Sequence, residues 1–96
     1  MIVEHALLQI RAGQELAFEA AMAEAKPLIA TAPGFIGIEV RPSVESAGTY
    51  LLLVRWKTVA DHRDGFRQSE SYQTWRGLLH HFYDPMPSVS YFGDPL

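Results

Sequence analysis

Four side chains in the second half of the chain are of types that could carry chemistry: His62, Tyr72, Arg76 and His80. A histidine, with an ordinary pKa of ~6.5, suits proton abstraction near neutrality. A phenolic hydroxyl both donates and accepts hydrogen bonds. A guanidinium beside aromatic rings could hold an anionic or phenolate ligand. Arg76 and His80 are one helical turn apart, so they share a helix edge. Trp56, Phe66, Trp75 and Phe82 are interleaved with these four and could wall a pocket for a flat apolar ligand. All eight lie between Tyr50 and Tyr83, a stretch holding seven of the eleven aromatic residues. Each also has a plainer reading. Trp56, Tyr72 and Trp75 read as core, Arg76 and His80 as a surface pair, and His62 as a hydrogen-bonded structural histidine.

Several other chemistries are excluded by what is missing. There is no cysteine, hence no disulfide, thiolate nucleophile or thiolate metal site. His80 and His81 are adjacent and project about 100° apart on a helix, and no H-x-x-x-H or H-x-x-E spacing occurs, so no metal is expected. No Gly-rich phosphate loop and no G-x-S-x-G elbow is present. The net charge of −3, with eight Lys and Arg spread along the chain, argues against nucleic acid as a partner. No apolar run approaches the ~20 residues of a membrane helix, and the first ten residues lack signal-peptide character. A cytoplasmic protein that avoids the membrane is expected. At 96 residues the chain is read as one domain, 1–96, without repeats or linkers.

The elements that must position these side chains follow from hydrophobic periodicity. Ile2 to Arg11 reads as a strand with apolar residues on both faces. Gln14 to about Thr31 reads as a helix with Phe18, Ala21, Met22, Ala25, Leu28 and Ile29 on one stripe, and Pro27 predicts a bend or a slipped last turn. Phe35 to Arg41 is a second strand, with Ile36, Ile38 and Val40 expected on one face. Thr49 to Trp56 is a third, apolar on both faces and therefore central. Thr58 with Asp61 makes a capping box for a short helix carrying Val59, His62 and Phe66 inward. Ser69 caps a longer helix running to about Phe82, with Tyr72, Trp75, Leu79 and Phe82 inward. Ser88 to Phe92 closes the chain as a short strand.

This order, βαββααβ, predicts an α+β fold: a ferredoxin-like subunit with a four-stranded antiparallel sheet and helices on one face. The other sheet face is apolar too, and no element remains to cover it. It is expected to meet a second copy, giving a homodimer through the open sheet face.

The run Arg55-Trp56-Lys57-Thr58, then Asp61-His62, Phe66, Ser69, Tyr72, Trp75-Arg76 and Leu79 to Tyr83, resembles the antibiotic biosynthesis monooxygenase (ABM) domain family. The AGQE-x-x-F segment from Ala12 to Phe18, the turn Ala32 to Phe35 and the closing Pro87 to Phe92 extend the resemblance over nearly the whole chain. The resemblance implies a dimeric α/β barrel of ferredoxin-like subunits. It also implies oxidation of a phenolic or polycyclic aromatic small molecule by O₂ without a cofactor, of the quinone-forming type. His62, Tyr72, Arg76 and His80 would then be catalytic, and Trp56, Phe66, Trp75 and Phe82 would bind substrate. Two departures stand out. Quinone-forming and haem-degrading relatives use a pocket asparagine, and this chain has none. The helix position that holds the iron-binding histidine of haem degraders matches Arg76. The alternatives are a non-catalytic small-molecule-binding or stress-response domain of the same fold and, further off, haem binding through His62 or His80.

Overall fold

The central element is β3 (Thr49–Trp56), flanked by β2 (Phe35–Pro42) and β1 (Ile2–Gln9) in a four-stranded sheet of order β2-β3-β1-β4, with β4 at Ser90–Phe92. All pairings are antiparallel in this computed structural model, which describes residues 1–96. β1 and β3 are in continuous register from Ile2 opposite Trp56 to Gln9 opposite Thr49. Cross-strand partners point to the same face, so Glu4, Ala6 and Leu8 join Tyr50, Leu52, Val54 and Trp56 on one buried side. Two α-helices cover that side. α1 (Glu15–Ala30) contributes Phe18, Met22, Ala25 and Ile29, and α2 (Glu70–Leu79) contributes Trp75 and Leu79. The expected α+β architecture is the observed one.

The opposite face, with Val3, His5, Leu7, Leu51, Leu53 and Phe92, is covered by no element of this chain. Leu7 is 51% and Phe92 56% exposed.

Three local expectations change. Phe35 pairs with Trp56 but Gly37 with Arg55, so Ile36 is the extra residue of a β-bulge. Ile36 therefore leaves the expected face with Ile38 and Val40 and stands exposed, while Phe35 packs edge-on against Trp56 at 5.8 Å. The bulge brings the Arg55 side chain over Gly37, where a Cβ would collide with the guanidinium. Second, α1 continues past Pro27 to Ala30 without the expected slip. Pro27 lies on the exposed side of the helix, where water can serve the carbonyl its missing N–H leaves free.

Third, the segment after β3 is less regular than a helix. The capping box forms: the Asp61 carboxylate accepts from the Thr58 N–H at 3.1 Å, and the Thr58 hydroxyl accepts from the Asp61 N–H at 3.2 Å. The chain then winds as a π-helical turn (Asp61–Gly65) and a 3₁₀ turn (Phe66–Gln68). Wider winding of this kind is frequent at functional sites. It still sends both His62 and Phe66 inward, because four residues separate them. Ser69 ends the segment and caps α2 as expected, accepting from the Tyr72 N–H at 3.2 Å. After α2 a 3₁₀ turn (His80–Phe82) leads to Tyr83, which bridges to Ile10.

Candidate functional site

Between the buried sheet face, the irregular turns and α2 lies a cavity of about 180 Å³. Ala6, Leu8 and Leu52 form its sheet wall, Phe66, Tyr72 and Trp75 its helical wall, and Met86, Pro87 and Val89 a third side. The aromatic wall is edge-on: Phe66 meets Tyr72 at 5.5 Å and 86°, and Trp75 at 5.7 Å and 84°. Such T-shaped contacts hold each ring in place through its neighbour's quadrupole. The polar lining comprises Glu4, His62, Arg67, Tyr72, His80 and Tyr83.

Of the eight residues picked out from sequence, five line this cavity: His62, Phe66, Tyr72, Trp75 and His80. Trp56 is fully buried and does not line it; its indole lies beside the His62 ring at 5.5 Å. Phe82 is buried against Phe18 on α1, and Arg76 is exposed; neither borders the cavity. The guanidinium that does reach it is Arg67.

The most ordered polar feature runs through four elements. Glu4 on β1 is only 4% exposed, and its Oε1 accepts from Trp56 Nε1–H at 2.9 Å. The same Oε1 lies 3.4 Å from His62 Nε2, long for a hydrogen bond. His62 Nδ1 lies 2.7 Å from the Tyr91 hydroxyl on β4. With Tyr91 donating to Nδ1, the neutral imidazole carries its proton on Nε2, facing the carboxyl. Burial pushes the Glu4 pKa up, opposed by the Trp56 hydrogen bond and by Arg67. Burial pulls His62 down to about 4, and the Arg67 charge adds to this. The imidazole is therefore neutral at pH 7.

His80 is also lowered, by burial first and then by Arg76 and Arg67. It meets the ring of Tyr72 edge-on at 6.1 Å and tilts against Tyr83 at 5.6 Å. Burial raises Tyr83 and Tyr91 above the usual phenol range. Both histidines of the cavity are thus poised as neutral groups beside phenols that keep their protons. No group of three or more His, Asp or Glu side chains is arranged to hold a metal ion, and no helix is long and apolar enough to cross a membrane.

Glu4, Arg67, Tyr83 and Tyr91 escaped the reading from sequence. For Glu4 a signal was present: an acid on the same face as Ala6, Leu8 and Ile10 cannot be solvated unless the strand frays or the acid has a use. Tyr91 carries no such local signal. It reaches His62 only because β4 pairs with β1, opposing Tyr91 and Glu4.

The family model for antibiotic biosynthesis monooxygenase matches residues 1–78. The uncharacterised Bacillus subtilis protein YczJ is 45% identical over 94 residues, covering 98% of this chain and 99% of the relative. A solved structure from Bordetella bronchiseptica that carries the same family name superposes with a TM-score of 0.94 at 37% identity. It covers 99% of this chain and 97% of its own. SnoaB of Streptomyces nogalater, a cofactor-independent oxygenase, shares the fold with a TM-score of 0.85 at 14% identity, covering 99% and 93%. The match to the family model stops before His80, Tyr83 and Tyr91, so that part of the site's surroundings lies beyond the shared pattern.

Proposed function

The chain belongs to the antibiotic biosynthesis monooxygenase family, and from that premise we propose that it oxidises a small phenolic aromatic with O₂, without a cofactor. The observation that supports this most is the aromatic-walled cavity with an acid, a neutral imidazole and two phenols along its lining. An apolar cavity of about 150 Å³ takes up benzene, so about 180 Å³ has room for at least one aromatic ring.

In the proposed reaction a base removes the phenolic proton, and the electron-rich ring reduces O₂ directly. One oxygen atom bonds to a ring carbon and the other leaves as water, carrying away the two hydrogens the ring loses. A phenol and O₂ thus yield a quinone and water. The apolar wall keeps bulk water from the peroxy intermediate. His62, Tyr72 and His80 serve proton handling in this scheme, and Phe66 and Trp75 hold the ring.

We also propose a homodimer through the uncovered sheet face, where Leu7 and Phe92 stand more than half exposed beside Val3, Leu51 and Leu53, with Glu39, Arg41 and Arg55 toward the β2 edge. Leu7→Asp should shift the protein from dimer to monomer in size-exclusion chromatography with light scattering.

The oxygenase reading is tested with metal-free protein, an oxygen electrode and a panel of mono- and dihydroxy-benzenes and -naphthalenes. Oxygen uptake matched by quinone absorbance supports it; no uptake with any member rejects it. One observation favours a second reading, a domain that binds such a ligand without turning it over: the chain lacks any asparagine, the pocket residue used by quinone-forming relatives.

A further inference from the structure

His62 is the obvious base from its residue type, yet with Tyr91 donating to Nδ1 the imidazole carries its own proton on Nε2, so neither nitrogen has a free lone pair. Nδ1 is held by the Tyr91 hydroxyl at 2.7 Å, and Nε2 faces Glu4 Oε1 at 3.4 Å. Its side chain is 5% exposed. Glu4 differs. Its Oε1 takes the Trp56 N–H, while Oε2 makes no hydrogen bond within the protein. No sealed side-chain oxygen in the molecule lacks a partner, so Oε2 retains some accessible surface. Because Glu4 lines the cavity, that surface is cavity surface. A carboxyl oxygen with open lone pairs thus faces an aromatic-walled space.

We propose that Glu4 Oε2 is the proton acceptor of this site and that its ligands are neutral aromatic hydroxyl compounds, bound through an O–H donated to Glu4. The assignment rests on reading the cavity as a small-aromatic site, and it moves the base from the histidine to the acid. His62 becomes a positioning residue, which with Trp56 fixes the carboxyl plane from one side. A carboxylate prefers a donor to a second anion, and a bond to a charged acceptor is roughly twice as strong as a neutral one. When the ring gives up electrons, the ligand O–H bond breaks and an Oε2–H bond forms, so the proton stays in the cavity.

The groups facing Glu4 are known from every element packed on it: Trp56 from β3, His62 from the π-helical turn, Arg67 from the 3₁₀ turn, Tyr91 from β4, and Tyr83 after α2. Arg67 is the one cation on the cavity lining. It defines the opposite possibility, a site that holds a phenolate by its charge.

The two are separated by binding of 4-cyanophenol to the wild-type protein, followed by tryptophan fluorescence. The probe is measured in buffer near pH 7, where it is mostly neutral, and in alkaline buffer, where it is an anion. The proposal expects the neutral form to bind at least about tenfold tighter than the anion, and tighter than the methyl ether 4-cyanoanisole by a similar factor. In Glu4→Gln, checked for folding by circular dichroism, the preference for neutral over anionic probe should collapse, because the repelling charge is gone and an amide N–H can meet the phenolate. Tighter binding of the anion by the wild-type protein, equal binding of phenol and ether, an unchanged preference in a folded Glu4→Gln, or no binding at all would each overturn it. Should Glu4→Gln fail to fold, the wild-type comparison of phenol, phenolate and ether decides alone. These readouts do not depend on turnover. Wild-type protein that binds the neutral phenol yet consumes no oxygen would reject the oxygenase reading and leave this one standing.

Discussion

Replacing His62 with glutamine should flatten the acid side of the stability profile. Burial holds the folded His62 at about 4, against an ordinary value of 6.5. Between those two values the unfolded chain binds a proton that the folded protein does not, so stability rises with pH across this window. The contribution is complete above 6.5 and is lost as pH falls toward about 4. At about 1.36 kcal/mol per pKa unit the loss is at most about 3 kcal/mol. Glu4 runs the other way. Its pKa is raised, so the folded protein keeps the carboxyl proton to higher pH than the unfolded chain, and this group favours folding as pH falls. Glu4 is present in both proteins, so the difference between wild type and His62→Gln reports mainly the histidine. The assay is urea unfolding at a series of pH values and one fixed protein concentration, since association shifts apparent stability. The wild-type advantage over the variant should shrink by up to about 3 kcal/mol between neutral pH and the lower end of the window. Parallel profiles for the two proteins would refute the argument, as would a His62 proton resonance titrating at or above 6.5.

Ser69→Ala removes the acceptor for the Tyr72 N–H at the start of α2 and should cost about 1 kcal/mol in chemical unfolding. Gly34 has φ +83, and a Cβ there would run into the Asp61 carboxylate. Gly34→Ala should therefore strain the backbone and break the Thr58–Asp61 cap together, at about 1–3 kcal/mol, seen as a lower urea midpoint. Arg76→Ala, outside the cavity and exposed, should change 4-cyanophenol affinity by no more than about 0.5 kcal/mol. A larger loss would bring that guanidinium back into the site.

The strands and helices were legible because each announces itself over a few residues. Short apolar runs bounded by turn residues mark β1 and β3, three- and four-residue spacing marks α1 and α2, and Ser69 marks a helix start. The bulge at Ile36 was not legible, because Phe35-Ile36-Gly37-Ile38 alternates well enough as a plain strand. Only pairing with β3, and the bulk of Arg55 beside Gly37, makes one residue extra. The π-helical winding at Asp61–Gly65 was hidden for a similar reason: His62 and Phe66 keep the spacing of an ordinary helix. Within the site, His62, Phe66, Tyr72 and Trp75 were readable as inward positions, and His80 as the edge beside the second stripe. Phe82 shares that stripe but turns toward α1 after the change to 3₁₀ winding, and Arg76 falls one residue off it. The Glu4, His62 and Tyr91 contact was beyond local reading, since it exists only through strand order.

That contact has a consequence for how the molecule comes into being. Trp56 and Glu4 are separated by 52 positions along the chain, and His62 and Tyr91 by 29. Contacts between distant positions form late, because loop closure must precede any gain from them. β4 holds its place through only three paired positions, so Tyr91 docks on an edge that has little else to retain it. A nascent chain lacking that last strand could already possess its helices and most of its core, yet would leave His62 Nδ1 without its phenol. The surroundings of His62 are thus completed only when β4 pairs with β1, and a chain cut before Ser90 would keep most of its core while losing that contact.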